Sequence, residues 1–372
     1  MRMPRRHLAT AAWVLFGTIC VMLTIAFTHG PDGPLNWVPH QAIEKLSPRS
    51  SAQSRKVVLV YVTDATLEKL PYIAPIDRQV LADVVKAVDQ AGAAVIGLDF
   101  IFDRKSERPK DEALIAALRQ AQAKVVLGAL DDRSPPGSAD LGWQSEFFER
   151  ARPAELGHLY FDEARQSFAR SDHVVRSIAA AGPHDLYQKS FAEALAAAAG
   201  SNALLPTRTI AWLRPSQNGD DVFLTLSADD LLGAGANLPL KQLLGGKIVI
   251  IAGDFPDRDQ HFTPLSYETQ YPGAFIHAQA LAQILDGRSL FAPTGVGQIA
   301  TGAAFFLLGI WLGRREIADR YHRAIETTAV ICLVVLSILS FALFSVLLPV
   351  TAIFIGGTLG IAAGHYSMRK HI

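Results

Sequence analysis

Apolar residues are laid out along this chain in two ways. Near the N-terminus and after Pro293 they form long runs almost free of charge, whereas between these runs short apolar bursts alternate with helix-period segments. The first run, HLATAAWVLFGTICVMLTIAF from His7 to Phe27, has the roughly 20 residues needed to cross a bilayer and no charged side chain beyond a protonatable His7. It is long for a secretory signal, and TIAFTHG lacks an A-x-A cleavage pattern, so an uncleaved anchor is expected. Further runs near Val296 to Gly313, Thr327 to Leu347 and Pro349 to Gly364 predict more spans, the last two forming a hairpin.

The middle of the chain reads differently. KVVLVYVTD, Lys56 to Asp64, is a near-continuous β-branched run of the kind a strand buried on both faces requires. DRQVLADVVKAVDQAG follows with helical spacing, Asp77 placed as N-cap and Gly92 closing it. AAVIGLDFIF returns as a strand, DEALIAALRQA as a helix and KVVLGAL as a strand. Ser134 to Ala154 reads as irregular; GHLYF and VVRSIA read as short paired strands, DLYQKSFAEALAAAAG as a helix ending at Gly200, RTIAWL and VFLTL as strands, and PLKQLLGG as a short helix. KIVIIAG is the last strong strand, and after an acid-rich loop GAFIHAQALAQILDG gives a helix ending at Gly287. Strands alternating with helices indicate right-handed crossovers. The fold class is therefore α/β, a largely parallel or mixed sheet over residues 29–293, flanked by one N-terminal transmembrane helix within 1–28 and three C-terminal ones within 294–372.

Charge orients this arrangement. Arg2, Arg5 and Arg6 precede the first run, RREIADRYHR separates the second from the third, and Arg369 and Lys370 follow the last. Basic residues in short loops stay cytoplasmic, and four spans put all three clusters there, leaving the α/β region outside the plasma (inner) membrane and both termini inside. Buried helices of a soluble protein account neither for the run lengths nor for the basic flanks. A formal net charge of zero argues against nucleic acid as a partner. Cys20 and Cys332 both fall in predicted spans, so the exported region must rely on its core without disulfides.

In open parallel sheets, ligands bind beyond the carboxyl ends of the strands. Asp64, Asp99, Asp103 and Asp254 fall there, with Asp257, Asp259 and His261 on the loop GDFPDRDQHFTP and His277 on the following helix. These eight are the candidate ligand-binding residues. An EF-hand frame from Asp257 to Glu268 fails, because its sharp-turn position holds Phe262 where Gly is required. An irregular hard-cation site remains open, as do purely structural roles in capping and loop hydrogen bonds. No cofactor is implied. His158 and His184 read as surface residues. Ser266 and Ser289 lack a G-x-S-x-G elbow and LLGGKIVII lacks a phosphate loop, so no catalytic residue is assigned and no enzyme is expected. The spans carry no Asp, Glu, Lys or Arg, which argues against an ion relay. Gly356 and Gly360 form a G-x-x-x-G pair, suited to homo-oligomer contact or to packing within the helix set.

Five blocks in order, VVLVYVTDATL, AGAAVIGLDFIFD, DHVVRSI with SFAEALA, LLGGKIVIIAGDFPDRDQHFTP and PGAFIHAQALAQILDGR, resemble the CHASE2 extracellular sensory domain of bacterial membrane signalling proteins. The resemblance implies the same topology and the sensing of an extracytoplasmic stimulus. Its usual cytoplasmic kinase or cyclase output has no counterpart in HYSMRKHI after the last run, so the signal is expected to pass to a separate signalling protein. The expected partners are thus an unknown small-molecule or envelope ligand, membrane lipid and that signalling protein. A structural subunit of an envelope complex is the alternative, with an exported metal-dependent hydrolase behind it.

Overall fold

The computed structural model describes Ile43 and residues 45–369, except 52–53, 71, 73–74, 134–138, 162–173, 217, 219–220, 234–237, 257–258, 294 and 316–318. The first apolar run, His7 to Phe27, lies outside the described residues. The chain divides into two compact units, one of residues 47–163 and 174–289, the other holding the helices from Leu290 onward.

The first unit is built on a six-stranded sheet in the order β4-β3-β2-β6-β1-β5. The strands are β1 (Val57–Thr63), β2 (Val95–Asp99), β3 (Lys124–Ala129), β4 (Glu155–His158), β5 (Leu224–Ser227) and β6 (Ile248–Asp254). Every neighbouring pair is parallel. The all-apolar stretches of β1 and β6 are explained by this order, because both strands are interior and β6 is inserted between β1 and β2. Val58, Val60, Val62, Val249 and Ile251 are fully buried, each worth about 1.5–3 kcal/mol of apolar burial.

Helices cover both faces. On one lie α2 (Arg78–Gln90), α3 (Arg108–Gln120), α4 (Leu141–Arg150), α6 (Ala228–Leu232) and α7 (Leu240–Leu244), which share one core with alternate strand residues. On the other lie α5 (Phe191–Ala198) and α8 (Gly273–Asp286), packed together; the four-residue α1 (Asp64–Leu67) follows β1. Asp77 caps α2 by accepting from Gln79 N at 2.8 Å, and Gly92 closes it with φ of 82°, a left-handed geometry that favours glycine.

Three sequence expectations change. The stretch read as irregular contains α4, capped by Asp140 at Trp143 N and held by its aromatics: Phe147 stacks on Phe102 at 4.6 Å, and Phe148 meets the same ring edge-on. RTIAWL joins no named strand: it bridges to VVRSIA only at Thr209 and Ser177, and helix side chains satisfy much of the rest of its backbone. Gln279 bonds both the N–H and the carbonyl of Leu213, and Gln283 bonds Ala211 N, Thr207 O and Thr209 O. The acid-rich loop leads into an antiparallel hairpin, β7 (Gln260–Thr263) and β8 (Ser266–Pro272).

The second unit contains α9 (Gly295–Gly313), α10 (Asp319–Phe344) and α11 (Val350–Arg369). Among the described residues one stretch, Val296–Gly313 of α9, is long and apolar enough to cross a membrane; α10 contributes a shorter apolar segment, Ile331–Phe344. The close packing is between α9 and α11. A Cβ on Gly356 would meet the backbone of Gly302, and one on Gly360 the backbone of Phe306 and Gly309. The G-x-x-x-G pair is therefore occupied inside the chain, where it lets two backbones touch.

Candidate functional site

Side chains in register across a parallel sheet share a face, and this places two of the candidates, Asp99 and Asp254, together with Tyr61. Tyr61 of β1 and Asp99 of β2 both pair with Ala252 of β6, and one residue pair further along Thr63 sits beside Asp254. All lie at the carboxyl ends of the central strands. Alternation puts them on the face covered by α5 and α8, because Val60, Val62, Leu98 and Ile251 point into the opposite core.

Asp259 closes this rim. Its φ of 53° is a left-handed conformation that Asp tolerates better than most residues. The turn lets its carbonyl accept from Gly273 N, at the start of α8, at 3.1 Å. Its carboxylate rests on that glycine, where a Cβ would lie 2.6 Å from Oδ2, so only glycine admits the contact. Asp259 Oδ1 is 2.9 Å from His261 Nε2, and Asp254 Oδ1 accepts from the Gln260 amide at 2.9 Å.

Burial and like charge set the electrostatics. Asp99 Oδ2 is buried and has no hydrogen-bond partner among the described residues. Burial first, and the Asp259 carboxylate second, push the Asp99 pKa well above the usual carboxylate range. Burial raises the Tyr61 phenol as well, reinforced by Asp254, Asp99 and Asp259, so its hydroxyl stays protonated amid three acids.

The histidines continue the same face. His277, one turn into α8, is buried with its ring 4.6 Å from Phe161 and 5.4 Å from Phe191. Its Nδ1 has no partner, and burial, then His158 and His261, lower its pKa to about 3. His158, read as a surface residue, is fully buried at the end of β4, because the segment leading into α5 pairs against it through Ser190. Neither of its ring nitrogens is hydrogen-bonded among the described residues; burial, followed by the charge of Arg133, takes its pKa to about 4.

Not all the candidates converge. Asp64 is exposed on the first turn of α1. Asp103 forms a two-bonded pair with Arg104 and acts electrostatically on Arg78 of α2, so it belongs to the opposite face, already neutralised. Asp257 lies outside the described residues. The sheet thus brings together Asp99, Asp254, Asp259 and His261, with His277 deeper on the same side. Sequence reasoning missed Tyr61 and His158. A lone hydroxyl-bearing ring inside the aliphatic run VVLVYVT was a signal that could have found the first.

The assembled rim offers acceptor oxygens, one donor hydroxyl and titratable groups. Among the described residues no three His, Cys, Asp or Glu side chains are arranged to hold a metal ion. A family model described as CHASE2 domain matches residues 18–312. No curated protein and no solved structure matches the chain.

Proposed function

The chain belongs to the CHASE2 domain family, and from that premise we propose that it is a membrane-anchored extracytoplasmic sensor whose ligand acts at the rim formed by Tyr61, Asp99, Asp254 and Asp259. The observation carrying this reading is the set of polar atoms on the α8 face, Asp99 Oδ2 and the His158 and His277 nitrogens, that are closed to solvent and make no hydrogen bond among the described residues, since folding alone favours pairing such groups. The rim meets the N-terminus of α8, and after α8 ends at Asp286 the chain enters α9 at Gly295. In this reading α8 is the element whose position the ligand biases, α9 to α11 and the N-terminal run are the spans, and a separate signalling protein receives the output.

Topology and sensing are tested together with the full chain. With Cys20 and Cys332 replaced by Ser, Lys86→Cys should react with a membrane-impermeant maleimide on intact cells, and Arg315→Cys only after permeabilisation. Labelling of Lys86→Cys solely after permeabilisation would sink the exported placement. Hydrogen exchange in α8 of the nanodisc-embedded chain should slow with a bound ligand. A chain that answers no ligand class in this way behaves as a structural subunit.

A further inference from the structure

Alternate residues of the segment 207–214 bond to different parts of the fold. The odd-numbered ones face α8. Gln283 Oε1 accepts from Ala211 N at 2.9 Å, and the Gln283 amide nitrogen donates to Thr207 O and Thr209 O, each at 3.2 Å. One turn earlier, Gln279 accepts from Leu213 N at 2.9 Å and donates to Leu213 O at 3.0 Å. The Ala211 carbonyl accepts from Nη1 of Arg288, two residues past α8, and Asp286 holds the Arg288 Nε at 2.8 Å.

The even-numbered ones bond elsewhere. Arg208 O accepts from Ile178 N at 3.0 Å, and Ile210 N donates to Arg176 O at 2.9 Å. Arg214 exchanges backbone bonds with the start of the unit, donating to Pro48 O at 2.9 Å and accepting from Ser50 N at 2.8 Å, while its Nε donates to Ser47 O at 2.6 Å. The chain enters this unit at Ser47 and leaves it at Ser289, next to Arg288. One short ribbon is thus bonded to the entry, to α8 and to the exit.

Burial makes the tie stiff. Gln279 and Gln283 are fully buried, and Ile210, Trp212 and Leu213 are buried with them. Glutamines four residues apart lie on one face of a helix, so a turn or slide of α8 strains all of their bonds together. A buried donor or acceptor left without a partner is costly, and the ribbon avoids that cost by following the helix. A strand ladder would fix the ribbon to the sheet; the side-chain amides fix it to α8. We propose that residues 207–214 are a coupling strap, which makes the entry at 47–50 and the exit at 286–288 shift with α8 as one cooperative unit. A stimulus that biases α8 is thereby delivered to both ends of the unit, a use of the strap that rests on the sensor reading.

The test is native-state hydrogen exchange on the full chain in lipid nanodiscs, in low urea and without ligand. The amides of Ser50, Ala211, Leu213, Arg214 and Arg288, all hydrogen-bonded within this network, should merge onto one opening with one urea slope, easier than the global opening read in α2. Separate openings for Ser50 and Arg288 would overturn the strap. Substitution probes the same link from a distance. Gln279→Met removes both bonds to Leu213 and should speed exchange about tenfold at Ser50 and Arg288, with which Gln279 makes no hydrogen bond, while α2 stays unchanged. An effect confined to Leu213 would show that the ends open independently and would overturn it as well. Arg214→Met, which loses the bond to Ser47, should likewise speed exchange at Arg288; an unchanged Arg288 counts against the strap. Because no ligand enters these measurements, failure of the strap leaves the sensor reading standing. Failure of the exported placement or of the α8 response to ligand leaves the strap standing.

Discussion

The two faces of the sheet differ in whether their charged groups have a counter-charge beside them. On the α2/α3 face acids near the strand ends sit beside cations: Asp77 pairs with Lys110 at 2.7 Å, Asp103 with Arg104 at 2.9 Å, and Asp111 faces Arg78 at 3.7 Å, although Asp111 Oδ1 and Arg78 Nη1 make no hydrogen bond among the described residues. Arg78 also lies 4.7 Å above the Phe102 ring. On the α5/α8 face His158 and His277 are buried and Asp99 is half-buried, and Asp99 Oδ2, both His158 ring nitrogens and His277 Nδ1 make no hydrogen bond among the described residues. The same strands feed both faces, so the difference arises from what the helices bring. Charged residues of α2 and α3 reach the strand ends, whereas α5 presents Phe191 and Leu195, and α8 presents His277 and a bare glycine start. The α2/α3 face thus brings cations to its acids, whereas the α5/α8 face leaves Asp99 Oδ2 without a hydrogen bond among the described residues.

The sharpest way to break this comparison is to unpair the paired face. Arg78 and Asp111 are both almost wholly buried, and burial outweighs their mutual attraction, pulling the Arg78 pKa down and pushing the Asp111 pKa up. Arg78→Met keeps the stem over Phe102 but strands Asp111. It should cost about 3–5 kcal/mol, seen as a large drop in the denaturation midpoint. Adding Asp111→Asn should recover part of that loss. A cost below about 1 kcal/mol would show that the pairing is incidental.

The second prediction concerns acid. In the fold His158 and His277 have pKa values of about 4 and about 3, below the unfolded value near 6.5. Between these values the unfolded chain binds protons that the fold refuses, so stability is intact above pH 6.5 and falls as pH drops. At pH 5 the loss should be about 2 kcal/mol for each histidine. His277→Phe retains a ring between Phe161 and Phe191 and should remove its share of the acid limb. An acid limb unchanged by that substitution would mean His277 is charged in the fold.

How much of this was legible in the sequence follows from the range of the interactions. Local signals held: β1 and β6 announced themselves by continuous apolar residues, α2 by Asp77 and Gly92, and the Gly245–Lys247 break by a helix end before a strand. Long-range placement did not. The insertion of β6 beside β1 joins segments nearly 200 residues apart (Val57 to Ile248), and nothing in either segment names its neighbour. The hairpin β7–β8 escaped because QHFT and SYETQYP lack apolar alternation. RTIAWL looked like a strand because its apolar pattern is one; it makes a single antiparallel bridge, at Thr209 to Ser177, and two glutamines on a helix take the backbone groups beyond it. At the rim, strand-end logic placed Asp99 and Asp254 correctly but could not tell which face Asp103 would take.

The third prediction repairs the unpaired face. The folded pKa of Asp99 lies above its unfolded value, so its contribution is favourable only in acid and is lost as pH rises through the folded pKa. Above that folded pKa the ionised carboxylate, with Oδ2 closed to solvent, is a cost. Asp99→Asn should therefore stabilise the ligand-free chain by about 1 kcal/mol or more above that pKa and lose the advantage below the ordinary carboxylate range. A gain in stability coupled to a loss of ligand response is the expected signature of a residue kept for binding. Destabilisation at every pH, with no gain on raising it, would contradict the assignment.

The smallest effect belongs to the solvent-exposed rim of the structure. Lys69 pairs with Asp229 at 2.9 Å, but its side chain is 64% exposed, and Asp229 already accepts from Thr66. Water and salt screen such a pair, and holding the long lysine side chain in place offsets most of what attraction remains. Lys69→Ala should change stability by less than about 0.5 kcal/mol and leave any ligand response untouched. Set beside Arg78→Met, this contrast separates charge pairing as such from charge pairing under burial. If Lys69→Ala proved as damaging as Arg78→Met, burial would cease to be what distinguishes the ion pairs, and the unpaired state of the α8 face would lose its significance.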